Sequence, residues 1–312
     1  MSTLDYISIP PKPSFNDTIV TERFSYDYWT IGLFESSNPL TPNGAVTWIK
    51  NPNSHTFLAD PFPFIYKSTK YIICEEFDYR ILKGNIITGQ IKNGRFVKTA
   101  DLFFDNYHRS YPFVFSYNNK NYFIPEQSSI GSVAIYELAS PSKANLCKTI
   151  LNDFAALDST LFRHNNLWWL FASHRDDKAP GKNLFLFYSR DPFCQWRPHP
   201  LNPVVTNSAS ARPAGNLIVT PSGTIIRPGQ DCSHTYGKRI TMNTVLELTT
   251  EMYTEKPIGQ LCTKSKQYNR GLHTINKYQP GVYLVDAKKS VFRFDANYRK
   301  TLNKFSNLRK TQ

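Results

Sequence analysis

Two aspartates at matching positions are the first candidates for chemistry. Asp60 stands in LADPFPF and Asp158 in LDSTLF, each at the start of an apolar run typical of a β-strand. A carboxylate pair suits the chemistry of a glycosidic bond, since one group acts as base or nucleophile and another orients or protonates the substrate. Glu126 ends a strand in an intervening segment, and Glu75 and Glu76 occupy the corresponding place one segment earlier. Asp60, Asp158 and Glu126 are therefore predicted to be catalytic; the alternative is that they terminate strands at solvent.

A dense polar segment, IIRPGQDCSHTYGKR at residues 225–239, follows a hydrophobic strand. Arginine binds phosphate oxygens through paired hydrogen bonds, amides hydrogen-bond sugar hydroxyls, and a tyrosine ring stacks on a pyranose. The segment is predicted to bind substrate, and the alternative is a polar loop held by its own hydrogen bonds. The substrate-binding residues predicted from it are Arg227, Gln230, Asp231 and Tyr236.

An internal repeat predicts the elements that position these residues. Five segments share one order: a small or acidic residue, an apolar strand, a polar turn and an aromatic strand. They begin near residues 60, 112, 158, 213 and 273, and a period of about 50 residues is typical of propeller blades. A single β-meander cannot bury both its faces, whereas five stacked radially can. The predicted fold is all-β, a five-bladed β-propeller over residues 1–286, with residues 1–50 helping to close the ring.

The first positions of the five segments should face one central channel, because the innermost strand of every propeller blade lines it. This arrangement places Tyr111, Arg212 and His273 near Asp60 and Asp158, and all three are predicted to bind substrate. The histidines show neither HxxxH nor HxH spacing, and no phosphate-cradling glycine loop is present. The prediction therefore includes no metal site, no cofactor and, without an RNA-binding aromatic signature, no nucleic-acid partner.

The net charge of +13 is concentrated at the C-terminal end. Residues 287–312 carry eight Lys or Arg residues against one acid, and their apolar residues follow a helical spacing. A short basic amphipathic helix is predicted there, which would hold the protein against an anionic membrane with a lipid-linked acceptor; the alternative is a solvated terminus. The polar, proline-broken N-terminal segment predicts neither a signal peptide nor a membrane helix. The predicted location is cytoplasmic, peripheral at the inner membrane face.

Several motifs in order resemble a known family. LADPFPF, LDSTLF, ARPAG and RPGQDCS are similar to the propeller domain at the N-terminus of plant glucosamine inositolphosphorylceramide transferases and in bacterial glycan-assembly proteins. The resemblance implies the propeller of arabinanase and invertase-type glycoside hydrolases, with Asp60 matching their base or nucleophile and Asp158 their second aspartate. Where those hydrolases place an acid glutamate in the fourth blade, this chain has Arg212.

Glycosyl transfer from a nucleotide-activated sugar, in surface-glycan or glycolipid assembly, is the predicted function. Asp60 or Glu126 would deprotonate the acceptor, while Arg212 and Arg227 would stabilise the departing diphosphate. One alternative is a glycoside hydrolase of the arabinanase and invertase type, with Glu126 as acid. The other is a non-catalytic sugar-binding propeller serving a partner transferase, since the plant proteins carry a separate C-terminal transferase domain.

Overall fold

The aromatic and β-branched runs of the chain form strands, and the strands form a five-bladed β-propeller, which confirms the predicted all-β fold. The computed structural model describes residues 2–7, 25–38, 40, 44–175 and 181–292. Within them, the helical structure assigned is one 3-10 turn, Ser128–Ile130. These residues contain no helix that is both long and apolar enough to cross a membrane.

The strands follow one another as antiparallel meanders. Three strands precede the first blade: β1 (Ser2–Ile7), β2 (Ser25–Glu35) and β3 (Ala45–Trp48). Blade 1 contains β4 (Thr56–Tyr66), β5 (Thr69–Asp78), β6 (Lys83–Lys92) and β7 (Arg95–Asp101). Blade 2 contains β8 (Ser110–Tyr117), β9 (Lys120–Glu126), β10 (Val133–Ser140) and β11 (Lys143–Leu151).

The later blades are less regular. Blade 3 contains β12 (Ala156–His164), β13 (Leu167–His174), β14 (Asn183–Ser189), β15 (Arg197–Pro198) and β16 (Val205–Thr206). Blade 4 contains β17 (Arg212–Pro213), β18 (Ile218–Val219), β19 (Ile225–Asp231), β20 (Arg239–Leu248) and β21 (Tyr253–Thr263). The last two strands are β22 (Gly271–Gln279) and β23 (Val282–Phe292).

Blade 5 joins the two ends of the chain, because β2 pairs with β23 on one side and with β3 on the other. β1 pairs with β3 and with the outer strand β21, so it links blades 5 and 4 into one sheet. The sheet continues through β23 to Phe292, past the boundary predicted at Asp286. The first residues of the predicted tail are therefore strand, and the predicted tail helix lies outside the described residues.

The core lies between the blades, and two adjacent tryptophans illustrate how. Side chains alternate across a strand, so Trp168 and Trp169 of β13 pack on opposite faces. Trp168 joins a cluster with Phe115 of blade 2, and Trp169 joins one with Ile225 and Val245 of blade 4. Apolar faces on both sides of a blade are what radial stacking requires.

A β-bulge interrupts the innermost strand of each of the first three blades, near its start. Each bulge holds one non-glycine residue in the left-handed region: Asp60 (φ 51°), Tyr111 (φ 40°) and Asp158 (φ 54°). Such a conformation costs on the order of 1–3 kcal/mol and clusters at functional sites. Bulges also re-aim side chains, so the three equivalent positions mark where the chain builds a site.

Candidate functional site

Asp60 is buried, with 3% of its surface exposed, and is held on several sides. Its carboxylate accepts hydrogen bonds from the Tyr111 backbone N–H (3.2 Å) and the Thr274 hydroxyl (2.7 Å). The His273 Nε2 atom lies 3.8 Å from Asp60 Oδ1. Blades 1, 2 and 5 therefore converge on this one carboxylate.

Asp286, on β23, anchors the blade 5 side of the site. Its Oδ1 accepts hydrogen bonds from the backbone N–H groups of His273 (3.2 Å) and Thr274 (3.0 Å), and lies 2.7 Å from His273 Nδ1. Its Oδ2 accepts the backbone N–H of Asp60 at 2.8 Å. The His273 ring also stacks on Trp29, with ring centroids 3.8 Å apart. Asp286 and Trp29 together fix the imidazole with Nε2 toward Asp60.

Burial and neighbouring charges adjust the protonation of this pair. Burial raises the pKa of Asp60 to about 6, against the opposing effect of His273 and with smaller contributions from Asp286 and Asp158. Burial alone would lower the pKa of His273, but Asp286 and Asp60 outweigh it and raise that pKa. At neutral pH Asp60 is ionised, with a pKa near the operating pH that suits a general base.

Asp158 has a different environment, since it is paired with a guanidinium. Arg212 donates through Nε to Asp158 Oδ2 (2.5 Å) and through Nη2 to Oδ1 (3.1 Å). Gln230 Nε2 donates to the same Oδ2 at 2.6 Å and to the Pro213 carbonyl at 2.8 Å. Burial raises the pKa of Asp158 despite the opposing effect of Arg212. A carboxylate engaged this way orients a ligand better than it attacks one.

Glu126 and Tyr236 complete the predicted set around Arg212. Glu126 accepts hydrogen bonds from Ser128 Oγ (2.8 Å) and Ser110 Oγ (3.3 Å), and Arg212 Nη2 lies 3.4 Å from its Oε2. Tyr236 is 41% exposed. Its ring lies 4.9 Å from the Arg212 guanidinium and 5.3 Å, edge-on, from the His273 ring. Tyr236 therefore bridges the Asp158 and Asp60 halves and offers an accessible aromatic face.

The structure thus brings several predicted residues together; these define the channel cluster: Asp60, Glu126, Asp158, Arg212, Gln230, Tyr236 and His273. Asp231 lies beside the channel cluster, but its carboxylate is hydrogen-bonded within a turn. Its Oδ1 accepts the backbone N–H of Ser233 at 3.0 Å and the Ser233 hydroxyl, and its Oδ2 lies 3.5 Å from Arg239 Nε. The alternative of a polar segment held by its own hydrogen bonds describes this residue.

Tyr111 does not contribute its side chain to the channel, contrary to the prediction. The residue is fully buried, and its hydroxyl accepts the Gly215 backbone N–H (2.7 Å) and pairs with Thr160 Oγ1 (2.8 Å). The ring packs edge-on against Phe62. Only its backbone N–H reaches the site, where it holds Asp60.

Arg227 also lies elsewhere. It is 1% exposed and donates through Nε and Nη2 to the Glu255 carboxylate, at 2.6 Å each. Its Nη2 also donates to the Ser210 carbonyl at 2.8 Å. Glu255 belongs to the outer strand β21, beside a cavity of about 310 Å³ that Ser210 and Asn243 also line. Arg227 is therefore a structural cation of blade 4, and the predicted phosphate-binding role is wrong for it.

Arg227→Met is expected to destabilise the fold by about 3–5 kcal/mol, because it leaves Glu255 buried without its partner. Adding Glu255→Gln should restore much of the loss. Urea denaturation of the two variants measures both effects, and a ligand that binds the channel cluster should bind the folded double variant unchanged. Weaker ligand binding by the folded double variant would place Arg227 in the site after all.

The metal-binding potential of the site is limited by its hydrogen bonds. Asp60, His273 and Asp286 offer donor atoms that all lie within 4.8 Å of one another. However, Asp286 Oδ1 faces the N–H groups of His273 and Thr274, and Oδ2 faces that of Asp60. These N–H dipoles present their positive ends to the carboxylate, so it is arranged as an anion among donors rather than as a cation ligand.

Three functional positions escaped the sequence reasoning: Trp29, Thr274 and Asp286. The available signal was Asp286 within the apolar run VYLVDAKK, since a carboxylate in a buried strand requires partners. Trp29 gave no such signal, because it reaches the site only through the pairing of β2 with β23.

The fold is a five-bladed β-propeller, and solved glycoside hydrolases share it. An exo-beta-1,3-galactanase from Clostridium thermocellum superimposes with a TM-score of 0.56 at 15% identity, over 81% of this chain and 58% of that one. A family 117 glycoside hydrolase from Zobellia galactanivorans gives 0.54 at 12% identity, over 86% and 90%. At such identities the likeness shows the fold alone.

The family follows from the sequence itself. Residues 30–286 match the family described as "Glucosamine inositolphosphorylceramide transferase 1, N-terminal", and the chain belongs to this family, as its motifs predict. The relative named glucosamine inositolphosphorylceramide transferase 1 from Oryza sativa subsp. japonica is 30% identical over 259 residues, and that from Arabidopsis thaliana 32% over 256. These alignments cover 74% and 73% of this chain but 35% and 33% of the relatives. The chain spans about a third of their length.

Proposed function

We propose that this protein is a carbohydrate-active enzyme that transfers a glycosyl group to a hydroxyl acceptor, with Asp60 as the general base. The observation that carries the proposal is the environment of Asp60. Its pKa of about 6 and its fixed hydrogen bonds from Tyr111 and Thr274 suit a carboxylate that accepts a proton near neutral pH. The names of the relatives support transfer as the reaction class.

The other members of the channel cluster have complementary roles in this proposal. Asp158, held by Arg212 and Gln230, orients sugar hydroxyls, because its pairing leaves it a fixed hydrogen-bond acceptor. The exposed ring of Tyr236 offers a stacking face for a pyranose. His273 keeps a positive charge beside Asp60, which favours the ionised form of the base.

A nucleotide-activated sugar remains a predicted donor, with less support than the sequence suggested. Of the two arginines proposed to face a departing diphosphate, Arg227 is bound to Glu255 and Arg212 to Asp158. For the acceptor, the names of the relatives favour the hydroxyl of a lipid-linked group in glycolipid assembly. Attachment at the inner membrane face through the basic tail, and a cytoplasmic location, belong to the same proposal.

A donor screen tests the proposal directly. Purified protein is incubated with a panel of nucleotide sugars and a panel of simple glycosides, thermal shift reports binding, and mass spectrometry reports transfer to an alcohol or to water. The expected result is turnover of at least one donor by the wild-type protein. Sugar binding without turnover, unchanged in Asp60→Asn, would overturn the proposal in favour of a non-catalytic binding propeller.

A further inference from the structure

We infer that Glu75 is the proton donor of this site, and that the group it protonates leaves as an alcohol or a sugar hydroxyl. The inference rests on the proposed function, because a proton donor for a leaving group requires glycosyl transfer. The inference adds Glu75 to the catalytic residues of that proposal. It also identifies the sugar donor as a glycoside, whose leaving oxygen needs a proton.

Strand register places Glu75 beside the base. Glu75 on β5 pairs with Ala59, the residue before Asp60, just as Glu126 on β9 pairs with Ser110, the residue before Tyr111. Both pairs directly precede a bulge. Cross-strand partners point to the same face of a sheet, so Glu75 holds in blade 1 the place that Glu126 holds in blade 2.

The two glutamates differ in their hydrogen bonds. Glu126 receives hydroxyl hydrogen bonds from Ser110 and Ser128 and lies beside Arg212, all of which stabilise its charged form. Glu75 is 6% exposed. Among the described residues, the recorded polar neighbour of its carboxyl group is His108, whose Nε2 lies 4.0 Å from Oε1. A buried carboxyl group without a donor favours the protonated form.

Gly84 on β6 makes the room that this carboxyl group occupies. A Cβ atom at position 84 would lie 2.1 Å from Glu75 Oε1 and 2.8 Å from the Arg109 carbonyl oxygen. The glutamate side chain therefore fills a notch that any larger residue at position 84 would close. Its conformation is set by packing, as a group that must deliver a proton to a fixed point requires.

The carboxylates that act on Glu75 come from four blades. Burial raises the pKa of Glu75 well above its ordinary value, and the carboxylates of Asp60, Glu126, Asp158 and Asp286 raise it further. The cations of the channel cluster, Arg212 and His273, are committed to Asp158 and to Asp286. Asp60, with a pKa of about 6, is mostly ionised at pH 7, whereas burial and the neighbouring carboxylates favour the protonated form of Glu75. Two carboxyl groups held in opposite protonation states form an acid–base pair.

Asp60 and Glu75 together account for both proton transfers of the glycosyl transfer step. Asp60 takes the proton of the acceptor hydroxyl, and the acceptor oxygen forms a bond to the anomeric carbon. The bond from that carbon to the leaving oxygen breaks with its electron pair on oxygen, and this oxygen takes the Glu75 proton. The products are the new glycoside and the released alcohol, and exchange with water returns Asp60 and Glu75 to their starting states.

The leaving group follows from the same chemistry. A diphosphate departs as a stable anion and gains little from a proton, whereas an alkoxide must be protonated as it leaves. The fourth-blade position that holds the acid in the hydrolases to which the sequence is similar is Arg212 in this chain, and Arg212 cannot donate a proton at neutral pH. Glu75 supplies that proton from blade 1.

The kinetic test compares Glu75→Gln with Glu76→Gln on two glycosides of one sugar, an alkyl glycoside and a nitrophenyl glycoside. Glu75→Gln should lower kcat on the alkyl glycoside by about 10²- to 10⁴-fold, and on the nitrophenyl glycoside, which needs little protonation, by less than about 10-fold. Glu76 bonds to Lys98 (2.7 Å) on the blade's outer strand, so Glu76→Gln should match wild type. Equal losses on both glycosides, or none, would overturn the assignment.

A spectroscopic test needs no turnover, and it uses the wild-type protein with Glu75→Gln as the assignment control. With ¹³C at the glutamate carboxyl carbons, NMR of wild-type protein at pH 7 should show one protonated glutamate, which disappears in Glu75→Gln. A spectrum with every glutamate ionised at pH 7 would overturn the inference even if transfer is observed. A protonated glutamate in a protein that turns over no glycoside would instead leave Glu75 as assigned and count against the proposed function.

Discussion

Asp60→Asn is expected to lower kcat for glycosyl transfer by about 10²- to 10⁴-fold, the contribution typical of a general base. The amide oxygen of asparagine can still accept the Tyr111 N–H, so the fold should remain, but the amide cannot accept a proton. Because the base acts when ionised and its pKa is about 6, wild-type kcat/KM should rise as the pH passes about 6. That rise should be absent from the residual activity of the variant.

Asp101→Asn is the matched control, since Asp101 lies on the outer strand of the same blade and pairs with Lys98 at 2.9 Å. It should leave kcat and its pH profile unchanged. If Asp60→Asn keeps full activity, or keeps the rise near pH 6, then another group is the base. Glu126 would be the next candidate, because it shares Arg212 with Asp158.

The fold was predictable because its signal is local and repeated. Each blade begins with an apolar strand, a polar turn and an aromatic strand, and this order recurs along the chain. The pairing of β1 with both β21 and β3 carries no such signal, since strand partners from opposite ends of the chain leave no trace in local periodicity. The irregular strands of blade 4, β17 and β18, are two residues each, which is too short to show an alternating pattern of apolar and polar residues.

Site residues were predictable at the one position in each blade that faces the channel. They were not predictable within a strand, where alternate side chains point to different faces. Arg227 and Gln230 are three positions apart on β19, and residues an odd number apart point to opposite faces. Gln230 reaches Asp158, so Arg227 had to point away, toward Glu255. The prediction for the Tyr111 side chain was wrong for another reason. The bulge at Tyr111, with φ 40°, turns the backbone N–H toward Asp60 while the ring packs in the core.

The role of Arg212 depends on whether its charge serves a ligand or Asp158. Its side chain is 11% exposed, and the Asp158 side chain is 2% exposed. The guanidinium engages both oxygens of that carboxylate. Removing one partner of a buried pair leaves the other charge unpaired, which is the costly outcome, whereas removing both can be nearly neutral.

Arg212→Met is therefore expected to destabilise the protein by about 3–5 kcal/mol at pH 7. The double variant Arg212→Met with Asp158→Asn should recover most of that loss, because the buried charge of Asp158 is removed together with its partner. Without Arg212 the folded-state pKa of Asp158 rises further above its unfolded value, so the penalty is complete at high pH. It should shrink as pH falls toward about 4, the ordinary pKa of aspartate. Urea denaturation at several pH values measures each free energy of unfolding.

The matched control is Arg80→Met, which removes an equally short arginine–aspartate contact at the surface. Arg80 Nη2 lies 2.6 Å from Asp78 Oδ2, but the arginine side chain is 61% exposed, so the loss should be much smaller than for Arg212→Met. If the free-energy losses of the Arg212 and Asp158 single variants simply add in the double variant, the pairing is contradicted, because a shared buried interaction must be non-additive. Arg212 would then act through Glu126 or Tyr236, its other neighbours, and its charge would be available to a ligand in the channel.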